Sequence, residues 1–209
     1  MTKHHILIAG FLLSAFAATG TGLVALTNQI TATRIQENEN QSLLQQLLQL
    51  VPASSYDNDL VQDKILLNRD ANLGNSETVT AYRARKLQQP VAVIFPITAP
   101  DGYSGEIHLL VGIFADGTIA GTRVISHKET PGLGDKIEVA RHPWILGFNQ
   151  KSLTHPDAAQ WLVKKDGGYF DQLTGATITP RAIVKAVKKS LLYFQQHREA
   201  LFEERPPHE

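Results

Sequence analysis

The chain has 209 residues, 43% of them hydrophobic, with 20 Lys and Arg against 20 Asp and Glu and no cysteine. The zero net charge argues against a nucleic-acid binder, which needs a basic surface to displace counterions, and the apolar content argues against a disordered chain. Without thiols the chain cannot hold an iron–sulfur cluster, a cysteine zinc site or a disulfide, so any redox chemistry needs an organic cofactor or a partner.

Positions 4 to 33 carry no Lys, Arg, Asp or Glu. Within them Ile6 to Leu26 is nearly all apolar or small. Twenty-one helical residues span about 31 Å, close to the hydrocarbon thickness of a bilayer. Ala15-Phe16-Ala17 resembles a signal-peptide cleavage site, but the apolar run continues past it through Leu26, which favours a retained anchor. A lipoprotein is excluded by the absence of cysteine. The charge count, Lys3 before the span and Arg34 after it, is nearly balanced. A short N-terminal tail of this kind is expected to stay in the cytoplasm, which would put the remaining bulk outside. Gly10, Ser14, Ala18 and Gly22 put small residues on one helical face, which suits helix packing or merely reflects membrane composition.

From Thr33 to Leu50, Ile35, Leu43, Leu44, Leu47 and Leu48 recur at helical spacing, predicting an amphipathic stalk helix that ends before Pro52. Residues 54–75 read as a polar stretch with turns at Asp57-Asn58-Asp59 and Leu73-Gly74-Asn75. Thr78–Arg85 and Val91–Thr98 read as strands, and Pro96 places the second at an edge or a strand end. Asp116-Gly117 between Glu106–Phe114 and Thr118–Ser126 predicts a hairpin with a two-residue turn. Short helical turns are expected in Val139–Asn149 and Ala158–Lys164, with Trp161 and Leu162 inward. A final helix starts with Thr179 as cap and Pro180 in its first turn. It buries Ile183, Val184, Val187, Leu191 and Phe194. The fold expected is α+β: a transmembrane helix, then a mixed sheet-and-helix domain. The segments are 1–33 for tail and anchor, 34–98 for the stalk and first part of the domain, 99–200 for the ligand-binding part, and 201–209 for a loose tail.

Two loops stand out chemically. In Asp171-Gln172-Leu173-Thr174-Gly175-Ala176-Thr177, small residues let a bulky group approach the Thr177 hydroxyl. The following helix directs free N–H groups and its positive dipole end at that loop, where phosphate is favoured. A plain turn into a capped helix explains the same residues. Glu129-Thr130-Pro131-Gly132-Leu133-Gly134 can wrap a ligand closely or be a simple Pro-Gly loop, and fits neither a Walker loop nor a dinucleotide fingerprint. His108, His127 and His142 lack metal-ligand spacing, and no nucleophile and base are paired. Trp144 and Trp161 suit stacking on a flat cofactor or, more commonly for such residues, packing in the core.

The segments Asp171-x-x-Thr174-Gly175-Ala176-Thr177, Glu129 to Gly134, and Gly102-Tyr103-Ser104-Gly105 before the hairpin together resemble the covalent FMN-binding domain family, over roughly residues 100 to 195. The resemblance implies FMN attached by a flavin transferase to Thr177 through a phosphoester, with Thr174, Gly175 and Ala176 around the phosphate. It implies cofactor contacts from Glu129, Thr130, Gly132, Leu133 and Gly134, and recognition of Asp171 by the transferase. Such domains serve as electron-relay subunits, not catalytic alone, in ion-translocating membrane oxidoreductases with cluster-bearing partner subunits. The compact length and Tyr56-Asp57-Asn58 favour the Rnf type over the sodium-translocating NADH:quinone reductase. An anchored scaffolding module without electron transfer is the alternative.

Overall fold

A computed structural model describes residues 2–203, with side chains in the N-terminal helix described at positions 5, 7, 8, 10–24, 27, 41 and from 44 onward. The chain divides into two units, Met1–Leu43 and Leu44–Glu209.

The first unit is the bulk of a long helix, α1 (Thr2–Leu48). The stretch expected as anchor and the stalk are therefore one uninterrupted helix. Leu7, Phe11, Phe16 and Val24 are exposed along it. Among the described residues no helix is long and apolar enough to cross a membrane. The expected span includes Ile6, Ala9, Ala25 and Leu26, whose side chains lie outside the described residues.

The second unit is α+β. Five antiparallel strands run in chain order across one sheet: β1 (Lys64–Leu67), β2 (Val79–Lys86), β3 (Gln89–Ala99), β4 (Ile107–Phe114) and β5 (Ile119–Ser126). Alternation along β3 sends Val93, Phe95 and Ile97 to one face and Ala92 and Ile94 to the other. Helix α2 (Ile178–Phe202) lies on β3 and β4, on the Phe95 side. Ile183, Val184, Val187, Leu191 and Phe194 are all buried, as their spacing predicts. On the opposite face sits the turn that follows α1. Leu50 lies over Gly112 and Gly121, its Cα 3.2 Å from where a Cβ on Gly121 would stand.

Four local expectations are corrected. The stretch read as polar turns contains β1, a four-residue strand paired Lys64↔Tyr82 through Leu67↔Val79. Its only signal was Ile65-Leu66-Leu67, too short to separate from a loop. Strand β3 is interior, not an edge. Pro96 is tolerated because the β2–β3 ladder ends at Tyr82↔Ile94, while Pro96 remains paired with Leu110 of β4. Alternate N–H groups of a strand point the same way, and Thr98, two residues on, donates to the Leu73 carbonyl instead of a strand. No ladder donor is lost at Pro96. The hairpin turn has three residues, not two. Phe114 N–H donates to the Thr118 carbonyl (2.8 Å), and only Gly117 takes a positive φ, +91°. Leu162 points outward, 46% exposed, while Trp161 is buried against Phe148 and Phe170.

Candidate functional site

Residues 127–203 lay a layer of short 3-10 turns and α2 beside the sheet, and the motif loops meet at the start of α2. The Asp171–Thr177 loop makes a tight turn there. Ala176 N–H donates to the Leu173 carbonyl (3.0 Å), and Gly175 takes φ +81°. A type II turn demands this conformation at its third position, which glycine adopts without cost. Leu133 Cδ2 lies 3.1 Å from where a Cβ on Gly175 would stand, so the two loops touch.

Thr177 is the residue before the first turn of α2, and its carbonyl accepts from Arg181 N–H (3.3 Å). Its side chain is half-buried and makes no capping bond. Thr174 is exposed in the turn. The expectation that Thr179 caps the helix is corrected. Thr179 lies inside the first turn, fully buried, and its hydroxyl donates to the Glu129 carboxylate. A cap must sit outside the helical backbone, so a buried acceptor fifty residues away replaces that role.

Glu129 is the hub of the site. It is 4% exposed. Its Oε1 accepts from the Ser104 N–H (3.0 Å), its Oε2 accepts from Thr179, and its own N–H donates to His127 Nδ1 (3.0 Å). Three segments distant in sequence, 102–105, 127–134 and 177–179, thus converge on one carboxylate. Gly134 makes room for it: a Cβ there would lie 2.9 Å from both Cβ and Oε2 of Glu129. The rest of the loop faces out. Thr130 is exposed and its carbonyl accepts from the N–H groups of Leu133 (3.2 Å) and Gly134 (3.0 Å). Gly132 has φ +78° and open space around it, and Leu133 is 42% exposed.

Asp171 lies on the other side of the turn. Its carboxylate is 69% exposed and pairs with Lys164 (2.6 Å), while its carbonyl accepts from Trp144 Nε1 (2.6 Å). A cleft of about 750 Å³ opens beside it, lined by Lys136, Trp144, Lys164, Tyr169 and Thr174. Arg181, in the first turn of α2, forms a two-point pair with Asp166, which holds the Asp166 carboxyl below its ordinary pKa and raises that of Arg181 through the same hydrogen bonds. The sequence reading missed the use of His127. Its Nε2 lies 2.8 Å from Glu138 while Nδ1 accepts from Glu129, so the neutral ring carries its proton on Nε2. No local spacing signals that role. His108 and His142 bond to Thr98 and to the Trp144 N–H, and among the described residues no group of three His, Asp or Glu is arranged to hold a metal.

With this geometry in view, the comparisons with known proteins are specific. Residues 102–192 match the FMN-binding domain family, and residues 1–50 match the RnfG N-terminal region. The chain is 51% identical to the G component of the ion-translocating oxidoreductase complex of Pseudoalteromonas atlantica, over 92% of this chain and 90% of that one. It is 50% identical to the same component from Vibrio cholerae serotype O1 (95% and 94% covered) and from Pseudomonas aeruginosa (100% and 98%). The chain belongs to this family, the G components of ion-translocating oxidoreductase complexes.

Proposed function

We propose that this member of the G-component family is an electron-relay subunit of a membrane-bound ion-translocating oxidoreductase, carrying FMN as a phosphoester on Thr177. The observation that carries the assignment is the contrast between two threonines. Thr179 is buried with its hydroxyl engaged, whereas the half-buried Thr177 hydroxyl makes no bond to its own helix and stands at the N-terminus of a 25-residue helix. The positive end of that helix favours a phosphate there. Thr174 is set back in the turn, three residues before Thr177.

The residues present suit such a group. Gly175 carries no side chain in the turn before Thr177, and Leu133, packed against that turn with its side chain partly exposed, offers an apolar surface for a flat ring. Thr130, Gly132 and Gly134 shape the loop that presents Leu133. When bound, FMN supplies a centre that accepts and donates electrons singly or in pairs. The chain has no cysteine for a cluster, so electrons come from and go to other subunits. Attachment through the phosphate leaves the ring to be tuned by the protein groups around it. The exposed Asp171 carboxylate is accessible to a flavin transferase.

The uncharged stretch from 4 to 33 and the exposed apolar side chains along α1 support a membrane anchor; in this reading the short N-terminal tail is cytoplasmic and the domain periplasmic. Protease added to spheroplasts should then digest the domain; protection until lysis would reverse the orientation.

The decisive experiment is attachment. The denatured full chain, produced with a flavin transferase, should fluoresce under ultraviolet light, and peptide mass mapping should place FMN on Thr177. Thr177→Ala should be non-fluorescent with an unchanged melting profile. FMN on Thr174 or Thr179 would overturn the assignment, and a chain that never carries flavin would leave the scaffolding role.

A further inference from the structure

We propose that the buried Glu129–Thr179 hydrogen bond is a positioning latch for flavin loading, holding the first turn of α2 so that the Thr177 hydroxyl is presented to the flavin transferase. This rests on the reading of Thr177 as the attachment residue.

The latch is built on a costly choice. Burying a carboxylate to 4% exposure is unfavourable unless its oxygens are satisfied, and an apolar pair would fill the space more cheaply. What the hydroxyl–carboxylate pair adds is direction. A hydrogen bond to an ionised acceptor is short and about twice as strong as a neutral one. Thr179 is β-branched and inside a helix, where its side chain has few rotamers. Fixing its hydroxyl therefore fixes the helical turn that bears it. Glu129 cannot drift, because Ser104 N–H holds its other oxygen, His127 holds its backbone, and Gly134 lies against its side chain. Thr177, two residues before Thr179, has no side-chain bond to its own helix. Its orientation is inherited from the backbone that the latch secures.

The transfer places heavy demands on that orientation. The Thr177 oxygen forms a bond to the FMN phosphorus of a flavin dinucleotide, the anhydride P–O bond breaks, the nucleoside monophosphate leaves, and the hydroxyl proton passes to a base of the transferase. An in-line displacement of this kind loses about a hundredfold for a misplacement of about 1 Å. Glu129 and Thr179 are positioning residues here, since neither touches the reacting atoms.

The test measures loading of the full-length apo chain by a purified flavin transferase and a flavin dinucleotide, read as fluorescence of the denatured chain, beside its thermal midpoint. Thr179→Val keeps the shape and deletes the hydroxyl; Glu129→Gln keeps the shape and deletes the charge; Thr179→Ser restores the hydroxyl. Loading kcat should fall about tenfold or more in the Val and Gln variants. KM for the chain should hold, because the exposed Asp171 side of the loop is untouched, and Thr179→Ser should recover most of the rate. Wild-type loading by both Val and Gln variants would overturn the latch, as would a loss that merely tracks the unfolded fraction or that Thr179→Ser fails to recover. Thr177→Ala separates the two ideas. If it still acquires covalent flavin, the attachment reading fails; if it is flavin-free while the Val and Gln variants load normally, the latch alone fails.

Discussion

Leu133 rests against Gly175, its Cδ2 3.1 Å from the position a Cβ would take, and this contact joins two loops far apart in the chain. Gly175 serves twice: it takes the left-handed conformation of the turn and leaves room for Leu133. Gly175→Ala should therefore cost about 1–2 kcal/mol from the backbone. Because the added methyl also pushes Leu133, covalent flavin should fall in the same variant. Urea titration gives the first quantity and fluorescence of the denatured chain the second; an unshifted midpoint would show that the turn relaxes freely.

The end of α2 is held by a second buried polar cluster. Asp63 bridges Arg83 and Arg85, and these guanidiniums donate to the carbonyls of Phe202 (2.8 Å), the last helical residue, and of Glu203 (2.6 Å), which follows it. Unpaired helical carbonyls are negative, so cations there are favourable. Asp63→Ala strands two positive charges, and Arg85 is only 5% exposed. A loss of about 3–5 kcal/mol is expected in chemical denaturation, with Asp63→Asn intermediate.

Acid should loosen α2 through two surface pairs. Asp101 is held below its ordinary pKa by a hydrogen bond from Lys185 and by that residue's charge, and Asp166 likewise by Arg181. A carboxyl depressed in the folded state adds stability that is fully present above its unfolded pKa of about 3.9 and is lost as pH falls through the lower folded value. The thermal midpoint should therefore drop on acidification below about pH 4. Asp101→Asn with Asp166→Asn should flatten that acid limb, and added salt should shrink it, since both pairs are exposed. An unchanged limb in the double variant would assign the acid sensitivity to other groups.

The end of α1 and the residues just after it are part of the folded domain. Leu47, Leu50 and Val51 are buried to 2% exposure or less. A chain beginning at Leu44 should fold and melt like the full-length protein, whereas one beginning at Pro52 should lose several kcal/mol, at about 1.5–3 kcal/mol for each large apolar side chain removed. Circular dichroism melts of the two truncations decide this.

Sequence alone determined what depends on near neighbours. Helical spacing marked the buried stripe of α2, alternation and Asp116-Gly117 marked β4 and β5, and residue type singled out both loops of the candidate site. These signals are periodic or local, and packing only had to obey them. Tertiary structure decided whatever needed a distant partner. Thr179 reads as a helix cap until Glu129 is found beneath it, and Pro96 reads as an edge or a strand end until the neighbouring ladder is seen to stop at Ile94. Glu129 stands out in the sequence only through its loop and the family resemblance, because nothing within a few residues announces that Ser104 and Thr179 will enclose its carboxylate. A charge can be buried only where the fold brings its partners, and those partners lie 25 and 50 residues away along the chain.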